Sequence, residues 1–460
     1  MLPLTIIVVC ILFIISFLIF DRDLLAPPTA VALTFLFGCL CCFYNEIAWE
    51  LNFSVNSLAL IAAGIIATMI GGIIGVLLSN YPRIGSFTFA HEITEPEEIS
   101  ISPLKTWIVV AFQIVTIVLV FKHIQGVTGY SSWVLAVARY KVLTGLLADV
   151  NDSSLWMSPI TRNMNEISRL FAIVYAYVIG NNLIAKKRKV SIIIGKNLVA
   201  KRRKFSINWI PVVVYTILSF LQGGRSNLIR LWLIVLITAY TVHKRSVGWR
   251  RNKKTKKVFR IMVLSVIAVG ALFVGVREIV GRTADSNPLY YLAFYAGSPI
   301  AVLNQVWESP ITKPEIFGQR ILYHLNQTTR VIFGFPERYN FYYEYMKSPN
   351  GSHIGNAPTA FRPAFVEFGP LGFFIFFIAC GAFFTYLYCR TRKKRGNNPI
   401  DFRLLIYAYV AYVFMMYFYS TFFDFLGHIF IKYVIELLMI TWALTRWKFN
   451  RHILKVKAKR

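Results

Sequence analysis

Acidic residues are what this 460-residue chain lacks most: 21 Asp and Glu stand against 50 Lys and Arg, a net charge of +29. Charge of either sign is also scarce, at 15%, while 56% of residues are hydrophobic. Soluble domains carry about 25% charged and 45–50% apolar residues, so this composition excludes an ordinary soluble domain. Cysteine is sparse as well. Cys10, Cys39, Cys41, Cys42, Cys380 and Cys389 lie in or at the ends of apolar segments. None forms a CxxC pair with a histidine partner at metal-ligand spacing, so neither a disulfide framework nor a structural zinc is expected. Several catalytic signatures are missing too. The chain has no GxxxxGK[ST], no HExxH, no GxSxG nucleophile elbow and no DxD-like pair in an outer loop. No metal and no cofactor is therefore expected. Internal repeats and low-complexity tracts are absent by eye. The inverted repeats of many secondary transporters are not visible either.

What is present is a series of long apolar runs. A bilayer core of about 30 Å needs roughly 20 apolar helical residues, and eleven runs qualify: Leu2–Phe20, Leu24–Tyr44, Ser57–Leu78, Leu104–Phe121, Ile167–Ala185, Phe205–Leu221, Ser226–Val242, Ile261–Val276, Ala364–Cys389, Leu404–Phe423 and Ile429–Thr445. The first lacks a basic n-region and is followed by Asp21-Arg22-Asp23, so it reads as a span and not a signal peptide. The fold class expected is an all-α polytopic membrane protein with 11–12 spans. Basic residues gather between the runs: Lys186–Lys189, Lys201–Lys204, Lys244–Arg260, Arg390–Arg395 and Arg446–Arg460. That is the positive-inside pattern, and it makes nucleic acid a poor partner. Those segments are assigned to the cytoplasm, which puts two long connections on the other face. The resulting organisation is 1–121 with four spans, 122–166 as an outer loop, 167–276 with four more spans, 277–363 as a large outer loop, 364–445 with the last spans, and 446–460 as a basic tail. Trp133–Leu147 carries Arg139 and Lys141 and reads as an interfacial amphipathic helix. A twelfth span is possible if it dips into the membrane. The segment Asn80–Ser102 falls on the inner face by this count.

The outer segment 277–363, about 87 residues, is too long for a mere connection. It holds two aromatic runs, Tyr290–Tyr295 and Arg338–Tyr345. Tyrosine offers a flat apolar face and a hydroxyl, which suits sugars; an aromatic belt at the membrane interface explains the same residues. Lys432 and Glu436, four apart on one helix face, are expected to neutralise each other. Leu221-Gln222-Gly223-Gly224-Arg225-Ser226-Asn227 follows a short span, so its tip is expected at headgroup level. Glycines allow a sharp turn and close backbone approach. N–H groups opening the next helix favour an anion, and Arg225 adds a bidentate donor. A tight hairpin with a snorkelling arginine is the plainer alternative. Arg277 and Arg282 emerge at similar depth after the next short span, and several arginines at the outer headgroup plane suit a lipid diphosphate. Glu278 is a competing partner for either. Further candidates in the loop are Arg320, His324, Arg330, His353 and Arg362, with histidine suited to general-base work.

Three stretches together give the chain a resemblance to the bacterial O-antigen or capsular repeat-unit polymerases, the Wzy-type family. They are Leu221–Ser226, Tyr290–Ile300, and Asn356–Pro363 running into Glu367-Phe368-Gly369-Pro370-Leu371-Gly372. Family members often have aspartate where Glu367 stands. The resemblance implies a metal-independent integral-membrane glycosyltransferase of the GT-C kind, working on the periplasmic face of the bacterial inner membrane. Donor and acceptor are implied to be glycans on undecaprenyl diphosphate, with a chain-length regulator as a further partner. The acceptor hydroxyl attacks the donor's anomeric carbon and the lipid diphosphate leaves. Preorganised cations, here Arg225, Arg277 and Arg282, would meet the departing charge. His353, His324 and Glu367 are the candidates for the base. Tyr290, Tyr291, Arg330, Tyr343 and Arg362 are expected on the glycan. An O-antigen ligase shares this topology and donor, and a lipid-linked oligosaccharide flippase is the alternative from another class.

Overall fold

The computed structural model describes residues 1–79, 95–145, 155–194, 206–222, 226–249, 287–305, 317–333, 346–394 and 398–446, with a few isolated positions between them. Fourteen α-helices occur among these residues: α1 (Leu2–Ile19), α2 (Pro27–Tyr44), α3 (Glu46–Trp49), α4 (Val55–Leu78), α5 (Pro103–Thr128), α6 (Trp133–Gly145), α7 (Pro159–Ile194), α8 (Ile210–Leu221), α9 (Ser226–Val247), α10 (Pro288–Gln305), α11 (Tyr323–Phe333), α12 (Phe361–Thr391), α13 (Phe402–Met415) and α14 (His428–Thr445). Two short antiparallel strands, β1 (Met346–Lys347) and β2 (His353–Gly355), make one hairpin. The protein is an all-α polytopic membrane protein. Seven described helices, α1, α2, α4, α5, α7, α9 and α12, are long and apolar enough to cross a bilayer. The shorter apolar α8 and α13 and the 18-residue α14 occupy three more of the eleven expected spans. The expected span Ile261–Val276 lies almost wholly outside the described residues.

Helix ends follow local chemistry. Pro27 and Pro28 open α2 and Pro103 opens α5, where a missing N–H is harmless. The side chains of Ser54, Ser102 and Asp401 accept from the first-turn N–H groups of α4, α5 and α13, satisfying donors the helix itself leaves open. Lipid supplies little hydrophobic drive between spans, so close packing of small residues carries their association. The helices α4 and α12 show this. They run side by side in the same direction, Gly64 facing Phe361 and Gly75 facing Ala382. A Cβ added at Gly71 would run into the Ile378 carbonyl, and one at Gly381 into the Thr68 carbonyl.

The bundle has two chemically distinct ends. At one, Asp23 accepts from Tyr240 and Tyr388 at 2.7 and 2.6 Å and pairs with Arg392 at 3.7 Å. Arg245 pairs with Asp401 at 2.6 Å, and Lys105 donates to the Ala443 and Leu444 carbonyls. The described parts of two basic segments, Arg245 of Lys244–Arg260 and Arg392 of Arg390–Arg395, therefore meet at this end. Residues Glu97 and Ile99 join them through hydrogen bonds with Asn181 and Asn182 on α7, so that segment shares the basic end. At the opposite end, Lys432 reaches Glu166 at 3.1 Å and Glu436 at 3.7 Å. The expected Lys432–Glu436 pair forms, and a second carboxylate joins it.

The described parts of 277–363 include the helices α10 and α11 and the β1–β2 hairpin. Helix α10 packs along α2, with Gly297 against the Cys41–Cys42 backbone and Gly38 against Ile300. Asn304 pins it: its carbonyl accepts from Ser54 N–H at 2.7 Å and Ser57 Oγ at 3.1 Å, and its amide donates to Asn52 O at 2.8 Å. Helix α6 packs on α5, where an interfacial helix was expected. The span expected at Ala364 begins at Phe361 and breaks at Gly369 (φ 68°, ψ 179°), followed by Pro370. That positive φ suits glycine, and proline cannot continue the hydrogen-bond ladder. Glu367 thus belongs to a short outer arm rather than to the span below the kink.

Candidate functional site

A cavity of about 420 Å³ opens at the end away from the basic segments. Helix α7 contributes Arg169, the turn leading into α11 contributes Arg320 and Ile321, and the first turn of α11 contributes Tyr323 and His324. Its other wall comes from Tyr409 on α13, Thr421–Phe423, and Ile429, Phe430 and Tyr433 on α14. Among the described residues, three basic ones and no carboxylate line it, together with apolar and aromatic groups. Ligand sites commonly have this make-up, an apolar wall with a few convergent polar groups.

The basic groups are held by rings. The Arg169 guanidinium lies 4.6 Å from the centre of the Tyr433 ring. Arg230, on α9 and almost fully buried, lies 4.6 Å from Tyr412 and 5.4 Å from Tyr409. Tyr409 in turn stacks flat on Phe430 at 6.2 Å. A cation over an aromatic face keeps much of its charge stabilisation after losing water. Arg320 is positioned through its backbone. The Glu367 carboxylate accepts from Arg320 N–H at 2.5 Å and Ile321 N–H at 3.0 Å, one oxygen each. The kinked outer arm of α12 thereby fixes the turn that forms one cavity wall.

The sequence-derived candidates are distributed unevenly around this cavity. His324 lines it, its ring edge-on to Tyr323. Glu367 is one step back, with both oxygens engaged by the turn. His353 is exposed on β2, in a hairpin tied to α3 by Asn350 donating to the Ala48 carbonyl, and it does not line the cavity. Tyr290 and the buried Tyr291 lie on α10, in a ring cluster with Phe294 and Tyr295 that reaches Trp49. Arg362 is almost completely buried, 4.6 Å from the Trp307 ring, at the start of α12. None of these three lines the cavity. Arg330 falls on the backbone of α11, and its side chain lies outside the described residues. Arg225, Arg277, Arg282 and Tyr343 lie outside them as well. Gln222, at the end of α8, exchanges hydrogen bonds of 3.1 and 2.9 Å with Asn165. That contact anchors the start of the glycine-containing segment one turn above Arg169. Sequence reasoning missed Arg169 and Arg230. Both sit within expected spans, so the rule that singles out intramembrane charges was the signal available. No group of His, Cys, Asp and Glu able to hold a metal ion occurs among the described residues.

A family model described as "Putative O-antigen polymerase" matches residues 158–414. That stretch runs from α7 to α13 and includes half of the residues lining the cavity, all three basic ones among them. No curated protein and no solved structure matches the chain.

Proposed function

Since the chain belongs to the O-antigen polymerase family, we propose that it joins lipid-linked oligosaccharide repeat units into O-antigen or capsular polysaccharide. The substrates are glycans on undecaprenyl diphosphate, and the site is the cavity at the end opposite the basic segments. By the positive-inside rule that end faces the periplasm of a bacterial inner membrane. The observation that carries the reading is the cavity's lining: cationic, aromatic and free of carboxylates. An anionic leaving group and the flat faces of sugar rings need such a lining.

In this reading an acceptor hydroxyl forms the new bond to the donor's anomeric carbon while the bond to the diphosphate oxygen breaks. The acceptor proton passes to a base, and the electron pair leaves with undecaprenyl diphosphate. His324 is the candidate base that lines the cavity. His353 and Glu367 are the other two, the first on an exposed hairpin and the second already accepting two N–H groups. Arg225, Arg277 and Arg282 are assigned to the diphosphate, and Arg330, Arg362 and the tyrosines Tyr290, Tyr291 and Tyr343 to the glycan. A chain-length regulator is the expected protein partner.

Deletion followed by gel analysis of the surface polysaccharide tests the reading. Loss of a polymerase leaves one repeat on the core lipid. No repeat at all would indicate a ligase, and repeats trapped facing the cytoplasm would indicate a flippase. Restoring the gene with Arg225→Ala should return protein to the membrane without long chains. Long chains from that variant would remove Arg225 from the mechanism.

A further inference from the structure

Among the described residues no carboxylate pairs with Arg169. Its Nε and Nη2 atoms are sealed from solvent without a hydrogen-bond partner among the described residues. The groups that act on it are tyrosines, Tyr409, Tyr433 and Tyr215, and Tyr433 is also hydrogen-bonded to the guanidinium. Glu166, one turn earlier on α7, is held by Lys432 at 3.1 Å instead. A half-buried guanidinium with a tyrosine hydroxyl but no carboxylate beside it keeps part of its desolvation cost unmet, and ring stacking offsets only some of that. The two unpartnered atoms form one side of the guanidinium fork. Arg245 in this same protein uses that side, both atoms donating to the Thr391 carbonyl. Such an edge matches two oxygens of a phosphate or a carboxylate. Asn165 lies one turn above on the same helix and is bonded to Gln222.

We propose that Arg169 is the oxyanion receptor of the cavity. It takes a pair of oxygens from the substrate once the guanidinium turns its Nε–Nη2 edge into the cavity that the side chain lines, the Tyr433 ring staying against it and the neighbouring rings covering the attached sugar or isoprenoid. The assignment rests on the polymerase reading only for the ligand's identity. Two sources share this chemistry: the diphosphate of the carrier lipid and the carboxylate of an acidic sugar.

The test uses full-length protein in nanodiscs. Binding of farnesyl diphosphate, of a glucuronate-containing disaccharide and of neutral farnesol is measured for the wild type, Arg169→Met, Arg169→Lys and Tyr433→Leu. Arg169→Met should weaken one of the two anions at least about tenfold, the scale of a lost charged hydrogen bond, and leave farnesol unchanged. Whichever anion responds identifies the source. Arg169→Lys should recover part of the loss, since charge returns without the fork, and Tyr433→Leu should lose several-fold. Arg169→Met should also melt no lower than the wild type, because a half-buried charge with no carboxylate beside it has been replaced by an apolar chain. A lower melting temperature with unchanged anion affinity would make Arg169 a structural residue and overturn the proposal. So would equal losses for farnesol and the anions. Polymer length in cells is read separately, so an anion effect without any role in chain extension would retain the receptor and refute the polymerase reading.

Discussion

Asp23→Ala is the sharpest probe of how the basic end of the bundle is held. Asp23 is 3% exposed, and its two oxygens serve four donors from three parts of the chain. Tyr240 Oη at 2.7 Å and Leu25 N–H at 3.1 Å donate to Oδ1, Tyr388 Oη at 2.6 Å donates to Oδ2, and Arg392 Nη2 stands 3.7 Å from Oδ2. The substitution strands two buried hydroxyls, about 1–3 kcal/mol each. It also breaks a buried ion pair, which costs about 3–5 kcal/mol when one partner is removed. These contributions share the same carboxylate and do not add, so a total loss of about 4 kcal/mol is expected. Tyr240→Phe and Tyr388→Phe should each cost about 1 kcal/mol. In the double-Phe background the stranded hydroxyls no longer exist, and Asp23→Ala should cost roughly 2 kcal/mol less than in the wild type. Denaturant unfolding of the purified protein in micelles, run as a mutant cycle, measures this coupling. Equal costs in the two backgrounds would refute the reasoning, as would a total below about 1 kcal/mol.

Two further outcomes follow from the packing of α12. Glu367→Gln keeps an acceptor for one of the Arg320 and Ile321 N–H groups, whereas Glu367→Ala keeps none. If Glu367 holds the turn, chain extension on a gel should be weakened by Gln and nearly lost with Ala; if Glu367 is the base, both variants should be equally inactive. Gly71→Val should prevent α4 and α12 from closing, seen as low membrane abundance and rapid proteolysis, because its Cβ meets the Ile378 carbonyl. Gly126→Ala on α5, where nothing lies within 4 Å of the added carbon, should be tolerated.

The positions of the spans were legible from the order of residues alone. A helix in lipid must satisfy its own backbone and present apolar side chains, and both demands are local, which is why α1, α2, α4, α5, α7, α9 and α12 coincide with apolar runs. The gathering of basic segments at one end is similarly a matter of count and spacing. The pairing of Lys432 with Glu436 needed only a helical repeat. The outer segment was harder. Its aromatic run at Tyr290 suits a sugar face and a membrane belt equally, and nothing in its spacing announces that α10 docks along α2 with Phe294 against Trp49.

The cavity belonged entirely to the tertiary structure. Arg169, His324, Tyr409 and Tyr433 come from four helices spread over more than 260 positions of chain. Nothing in their local spacing announces that they face one space. The Glu367 side chain reads as a candidate base from its type, yet its hydrogen bonds to Arg320 and Ile321 depend on a kink at Gly369 that turns its arm toward another segment. Apolar periodicity is a property of neighbours along the chain, so composition decides that these helices lie in a membrane. Which charges end up opposite rings, and which are left without a counter-charge, depends on contacts between distant segments, and those exist only once the bundle has closed.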